Sequence, residues 1–331
     1  MTGGQGPVGA NLARVGALAA AGTILVVAML ALVTSTRSAG GPTPVLPPLA
    51  RGGDPLLAAA GDIACSPSDD GYRNGGGAPN RCRQRATADL LRRGDYDAIL
   101  LLGDLQYETG TAADFRVSFA RSWGRHMPLL RPAPGNHEYN TKGAAGYFST
   151  FGARAGDPAK GYYSFDLGAW HLIALNSNCD AIGGCDRASP QVRWLRADLA
   201  AHPGACVLAF WHHPRFSSGS THGGDVRFRA FWQALYEARA DLVLVGHEHH
   251  YERFAQLTPG GRPSADGIRQ FVVGTGGKSL YGFRTAVAGS EVRDASSFGV
   301  LELVLRPQGY VWRFLPATGA FVDRGRGRCV T

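Results

Sequence analysis

From Leu56 onward, short apolar runs alternate with stretches whose apolar residues recur at helical spacing. The first run, LLAAAGD, is followed by a helical pattern over 83–93 and then by AILLLGD, which reads as strand, helix, strand. Further strands are predicted at 162–165, 171–176, 206–211, 242–246, 270–274, 299–305 and 310–314, and helices at 113–123, 190–201 and 226–239. The first half has the rhythm of parallel β-α-β units, whereas the two last strands meet at a Pro307-Gln308-Gly309 turn. Both patterns are satisfied by an α/β fold of two mixed sheets packed face to face with helices outside. No fixed-period repeat and no second linker interrupts the chain after residue 55, so residues 55–331 are expected to form one domain.

The N-terminal part differs in kind. After a short region, 1–14, residues 15–33 run without a charge, and residues 34–54 are rich in Gly and Pro. The uncharged stretch is long for a signal peptide and just long enough to cross a bilayer, so it predicts either a signal peptide or a transmembrane anchor. A buried core helix is the bland alternative, and the Gly/Pro-rich linker that follows at once argues against it. All six cysteines (Cys65, Cys82, Cys179, Cys185, Cys206, Cys329) lie beyond that segment, which fits an exported protein, secreted or membrane-anchored, with disulfides. Proximity in sequence favours Cys65–Cys82, Cys179–Cys185 and Cys206–Cys329. No pair has C-x-x-C spacing, so a thiolate zinc site is not expected. Of 34 basic side chains only Lys142, Lys160 and Lys278 are lysine, and no basic run occurs. The net charge of +8 therefore gives no indication of a nucleic-acid partner.

Five apolar runs end in polar signatures: GDIA at Gly61, GDLQY at Gly103, GNHE at Gly135, WHHP at Trp211 and GHEHHYER at Gly246. Singly, each has a structural explanation, since Gly-Asp is a natural turn and a lone histidine is more often a satisfied polar residue. Five in order is a different matter, because open α/β sheets gather ligands at the carboxyl ends of their strands. Asp62, Asp104, Asn136, His212, His247 and His249 supply hard oxygens and imidazoles with no thiolate, a set suited to iron, zinc or manganese. Asp104 is the candidate to bridge two cations. On the residues alone His213 competes with His212. The glycine-rich VGTGGKS stretch lacks the first glycine of a P-loop, Val272 standing there, and is expected to be a turn at a sheet end bordering the site.

With these signatures in place, the sequence resembles the calcineurin-like metallophosphoesterases over roughly residues 55–330, and Tyr107 three residues after Asp104 resembles their purple acid phosphatase branch. The resemblance implies the four-layer αββα sandwich of that superfamily. It also implies a binuclear centre, with Asp62, Asp104, Tyr107 and His249 around Fe(III) and Asp104, Asn136, His212 and His247 around a second Fe, Zn or Mn. The family's His-x-Pro pattern selects His212 over His213. His137 and His222 match histidines that contact phosphate or protonate the leaving group. The implied reaction is hydrolysis of a phosphate ester, first of all a phosphomonoester, by in-line attack of metal-bound hydroxide. A phosphodiesterase and a non-catalytic metal- or phosphate-binding protein are the alternatives, with ester choice expected to rest on loops 140–161 and 177–189. Two departures stand out: GDIA lacks the family's common second glycine, and Phe216 replaces a common tyrosine. Glu138, His250, Tyr251 and Glu252 are expected to support their loops, and His126, His171 and His202 to lie outside the site.

Overall fold

The computed structural model describes residues 46–330. The apolar stretch 15–33, with its signal-or-anchor reading, lies outside these residues. Among the described residues no helix is long and apolar enough to cross a membrane.

Two sheets carry the fold. In the first, parallel strands β1 (Leu56–Ala60), β2 (Ala98–Leu102) and β3 (Leu130–Ala133) are extended across β1 by the antiparallel strands β11 (Gly299–Arg306), β12 (Gly309–Pro316) and β13 (Arg324–Arg328). The second contains β4 (Tyr163–Leu167), β5 (Trp170–Ala174), β6 (Cys206–Phe210), β7 (Leu242–Val245), β8 (Tyr251–Leu257), β9 (Ile268–Val273) and β10 (Ser290–Asp294), in the order β10-β8-β9-β7-β6-β5-β4. The helices are α1 (Gln84–Leu90), α2 (Ala112–Asp114), α3 (Asn136–Tyr139), α4 (Ala145–Phe151), α5 (Pro190–Ala201) and α6 (Arg229–Glu237).

Side-chain alternation explains the layering. In β6 and β7, Leu208, Phe210, Leu242 and Leu244 face the first sheet and share a core with Leu100, Leu301 and Leu303. Val207, Ala209, Val243 and Val245 point the other way, onto Val192 and Leu195 of α5 and Phe231 and Trp232 of α6. A strand buried on both faces reads as a continuous apolar run, as these do. The expected sandwich of two mixed sheets with outer helices is what forms.

The differences are local. The predicted helix 113–123 is broken: α2 passes into a wider π-type turn at Phe115–Phe119, and a 3-10 segment begins at Trp123. β3, β8, β10 and β13 have no counterpart in the hydrophobic pattern. Among the described residues β3, β10 and β13 stand at sheet edges with one side unpaired, so Pro132 in β3 and the charged RGRGR of β13 are tolerated. All three disulfides pair as sequence proximity suggested, Cys65–Cys82, Cys179–Cys185 and Cys206–Cys329.

Candidate metal centre

The site begins with three strand ends. Asp62, Asp104 and His247 each follow a glycine at the carboxyl end of β1, β2 or β7, and each adopts a left-handed backbone, at φ of 60°, 50° and 70°. Such conformations cost on the order of 1–3 kcal/mol each for residues with a Cβ and persist only when neighbours hold them. Here backbone bonds do so: Asp62 N–H donates to Gly103 O (3.0 Å), Ile63 N–H to Asp104 O (2.9 Å) and His247 N–H to Asp62 Oδ2 (2.9 Å). Gly246 is dictated by space as well, since a Cβ there would stand 2.6 Å from Asp62 Oδ2.

Two clusters of donors result, joined at Asp104. In one, the Tyr107 phenol oxygen lies 2.9 Å from Asp62 Oδ1, 3.1 Å from Asp104 Oδ2 and 3.0 Å from His249 Nε2. In the other, His212 Nε2 lies 3.2 Å from Asp104 Oδ2, 3.1 Å from Asn136 Oδ1 and 3.1 Å from His247 Nδ1. The outer ring nitrogens are tied back: His212 Nδ1 donates to Leu102 O (2.8 Å) and His249 Nδ1 meets Ser279 Oγ (2.9 Å). Fixing one nitrogen in this way aims the other inward, as ligating histidines require.

The electrostatics point to a missing positive charge. Among the described residues no lysine or arginine meets the two carboxylates, and one phenolic proton cannot serve two carboxylates and an imidazole. Burial and then the Asp104 and Asp62 charges drive the Tyr107 hydroxyl well above its usual range. Burial opposes a charge on His212, yet Asp104 and Asp62 hold it up at about 9. Burial would likewise raise Asp104, but the imidazoles of His212, His137 and His247 keep it far below the ordinary carboxylate range. His247 is held neutral by burial and by His212, the form in which imidazole binds a cation. A proton on His212 thus stands where a cation fits, and cations beside Tyr107 and His212 would reverse the first two shifts. The donor set is all oxygen and imidazole, which suits the metals expected.

All nine residues singled out from the sequence gather here. His137 N–H donates to Asp104 Oδ1 (2.9 Å), its Nδ1 meets Glu108 O (2.6 Å), and its Nε2 faces Asp104 Oδ2 at 3.8 Å. His222 is exposed and stacks on His247 with ring centres 4.1 Å apart. The rivalry between neighbouring histidines is settled by direction: His213 turns its Nδ1 to Ser177 Oγ (2.8 Å). Glu138 holds more than its own loop, accepting from Gly135 N and also from Asp104, Leu105 and Gln106 N. His250 and Glu252 join Ser217 in a buried support. His171 and His202 stack together away from the centre, beside Asp166 and Asp198.

Four contributors escaped the sequence reading. Tyr281 stacks on His249 at 4.0 Å, nearly parallel. Ser279 orients that same ring, and Lys278 bridges Asp69 (3.0 Å) and Glu108 with its ammonium 4.9 Å from the Tyr107 ring centre. Glu248 accepts from the backbone of His222 and Gly223. Three of the four sit in or just after VGTGGKS, which is the turn leaving β9, so its placement beside the site was the available signal.

Comparison with known proteins bears on the family and the fold. The family model for calcineurin-like phosphoesterases matches residues 58–251. Purple acid phosphatase 22 of Arabidopsis thaliana is 32% identical over 197 residues, covering 52% of this chain and 42% of that protein. Human acid phosphatase type 7 is 30% identical over 197 residues, covering 49% and 42%. The chain therefore spans less than half the length of these relatives. Among solved structures, a purple acid phosphatase from yellow lupin seeds superposes with a TM-score of 0.66 at 17% identity, over 82% of this chain and 53% of that one. A dimetal phosphatase from Danio rerio gives 0.52 at 13% identity, over 81% and 98%. Both structures share the fold.

Proposed function

The chain belongs to the calcineurin-like phosphoesterase family, and on that premise we propose that it is a binuclear metal-dependent phosphoric ester hydrolase, an acid phosphomonoesterase like the purple acid phosphatases it resembles. The observation that carries the proposal is the position of Asp104 Oδ2, 3.1 Å from the Tyr107 phenol on one side and 3.2 Å from His212 Nε2 on the other. One carboxylate oxygen between two donor clusters is the arrangement a shared ligand needs.

Asp62, Asp104, Tyr107 and His249 would hold Fe(III), and Asp104, Asn136, His212 and His247 a second Fe, Zn or Mn. When bound, paired cations activate water and polarise phosphoryl oxygens. The chain's own groups do the rest. The Glu108 carbonyl accepts a hydrogen bond from His137 Nδ1–H, which turns Nε2 toward Asp104, where it would pass a proton to the departing alcohol. His222, at the open face against His247, would be the second group to contact phosphate. Three disulfides support an oxidising, exported location.

The test is turnover of phenyl phosphate and of its bis-aryl diester by metal-reconstituted protein, with metal analysis. Monoester hydrolysis with two metals per chain, lost in Asp104→Asn, supports the proposal. Preferential cleavage of the diester redirects it to a phosphodiesterase, and phosphate binding without hydrolysis overturns catalysis.

A further inference from the structure

Beside Asn136 a cavity of about 290 Å³ opens between α3 and the segment Ser177–Ala181. The Cys179–Cys185 disulfide closes that segment into a small loop. The cavity is at the lower end of the size of small-molecule pockets, enough for one compact group and too little for a polymer. It adjoins the donors of the second cluster, so it is where the alcohol part of an ester would lie if its phosphate met them.

The lining is built for hydrogen bonds. Asn140 Nδ2 donates to Glu108 O (3.0 Å), keeping a second N–H and its oxygen for a ligand, and Asn178 Nδ2 donates to Asn176 Oδ1 (2.9 Å) and Pro134 O (3.4 Å), keeping its oxygen as an acceptor. Tyr139 accepts from Asn176 Nδ2 (2.8 Å), which leaves its own proton to donate. Ser177 Oγ accepts from the His213 backbone N–H (3.3 Å) and meets the ring Nδ1 (2.8 Å), which fixes the imidazole at the edge of the cavity. Arg227 closes the mouth, its guanidinium already engaged by Asp225. The lining, which also includes the Asp180 carboxylate, thus offers both acceptors and donors to one small space. A hydroxyl is both donor and acceptor, so several hydroxyls match this lining, whereas an aryl group would cover these polar atoms and take them from water without pairing them.

Resting on the phosphomonoesterase reading, we propose that this cavity is the leaving-group subsite and that the substrates are phosphomonoesters of small polyhydroxylated alcohols, sugars or polyols, in preference to aryl esters. The test compares glucose 6-phosphate with phenyl phosphate on the metal-reconstituted full chain and on Asn178→Ala and Asn140→Ala. The proposal expects a higher kcat/KM for the sugar ester, and a fall in the sugar-to-aryl ratio of about tenfold in either variant, carried by KM. A wild-type preference for phenyl phosphate, or a ratio unmoved by both substitutions, overturns the subsite and leaves phosphatase activity standing. If neither ester turns over, the catalytic reading has failed. Calorimetric titration of glucose 6-phosphate then decides the cavity: weaker binding in Asn178→Ala upholds it, and equal or absent binding overturns it.

Discussion

The Glu138 carboxylate accepts the backbone N–H of Asp104 at 3.0 Å, reaching back across 34 residues to hold a strand end in its left-handed conformation. The same carboxylate takes the N–H groups of Leu105, Gln106 and Gly135, all buried. Glu138→Gln replaces one acceptor oxygen by an amide that faces donors. We expect metal affinity to fall about 10–100-fold, as for outer partners of ligands, with a lowered Tm. Metal titration and thermal unfolding of the apo and loaded protein check this, and unchanged affinity would remove Glu138 from the support of the centre.

Tyr107 offers a spectroscopic reading. Its oxygen sits among Asp62, Asp104 and His249, and Lys278 lies over its ring. If Fe(III) is held there, the loaded protein shows a visible charge-transfer band that Tyr107→Phe abolishes while iron content persists. A colourless protein, fully active with two zinc or manganese ions, contradicts the iron assignment and leaves hydrolysis intact.

Asp241 supplies a pH dependence remote from the centre. It is 2% exposed and accepts from Val207 N (2.8 Å) and Val330 N (2.5 Å). Burial outweighs those bonds and pushes its carboxyl up to about 6 from 3.8. Between about pH 4 and 6 the unfolded chain has released a proton that the folded one keeps. This group therefore adds stability below pH 4 and loses it as pH rises through 6, by roughly 2–3 kcal/mol. Asp241→Asn should flatten that slope, measured as the difference in unfolding free energy between the two proteins across pH 4–7. Parallel curves would refute it.

The Cys206–Cys329 bridge ties the start of β6 to the chain end, across a separation of 123 residues. Closing so long a loop restricts the unfolded chain, and a loop of this order is worth about 4–5 kcal/mol in the chain-entropy account. Cys206→Ala with Cys329→Ala should lower the denaturant midpoint by a corresponding amount. A loss below about 1 kcal/mol would mean the unfolded chain is already restricted there.

What was legible in the sequence follows from what a residue must do where it stands. β6 and β7 are buried on both faces and announce themselves as unbroken apolar runs, and Ser189 with Pro190 marks the start of α5 where it occurs. Asp62, Asp104, Asn136, His212, His247 and His249 were legible because strand ends, glycines and donors occur together in short local signatures, whereas Tyr107, His137 and His222 were singled out by the resemblance to the calcineurin-like metallophosphoesterases. β3, β10 and β13 were not legible, since an edge strand takes its conformation from a neighbour and needs no apolar alternation of its own.

The primary sequence alone thus determined the layered α/β plan and a set of candidate donors, and favoured by proximity the disulfide pairs that the structure contains. Only tertiary structure decided where the His213 ring turns, that Glu138 serves the Asp104 loop, and which contacts the turn expected beside the site makes there: Ser279 with the His249 ring, Lys278 over Tyr107 and Tyr281 stacked on His249. The reason is directional: hydrogen bonds from Leu102, Ser177 and Ser279 choose which ring edge faces inward, and those partners lie 30 to 110 residues away in the chain.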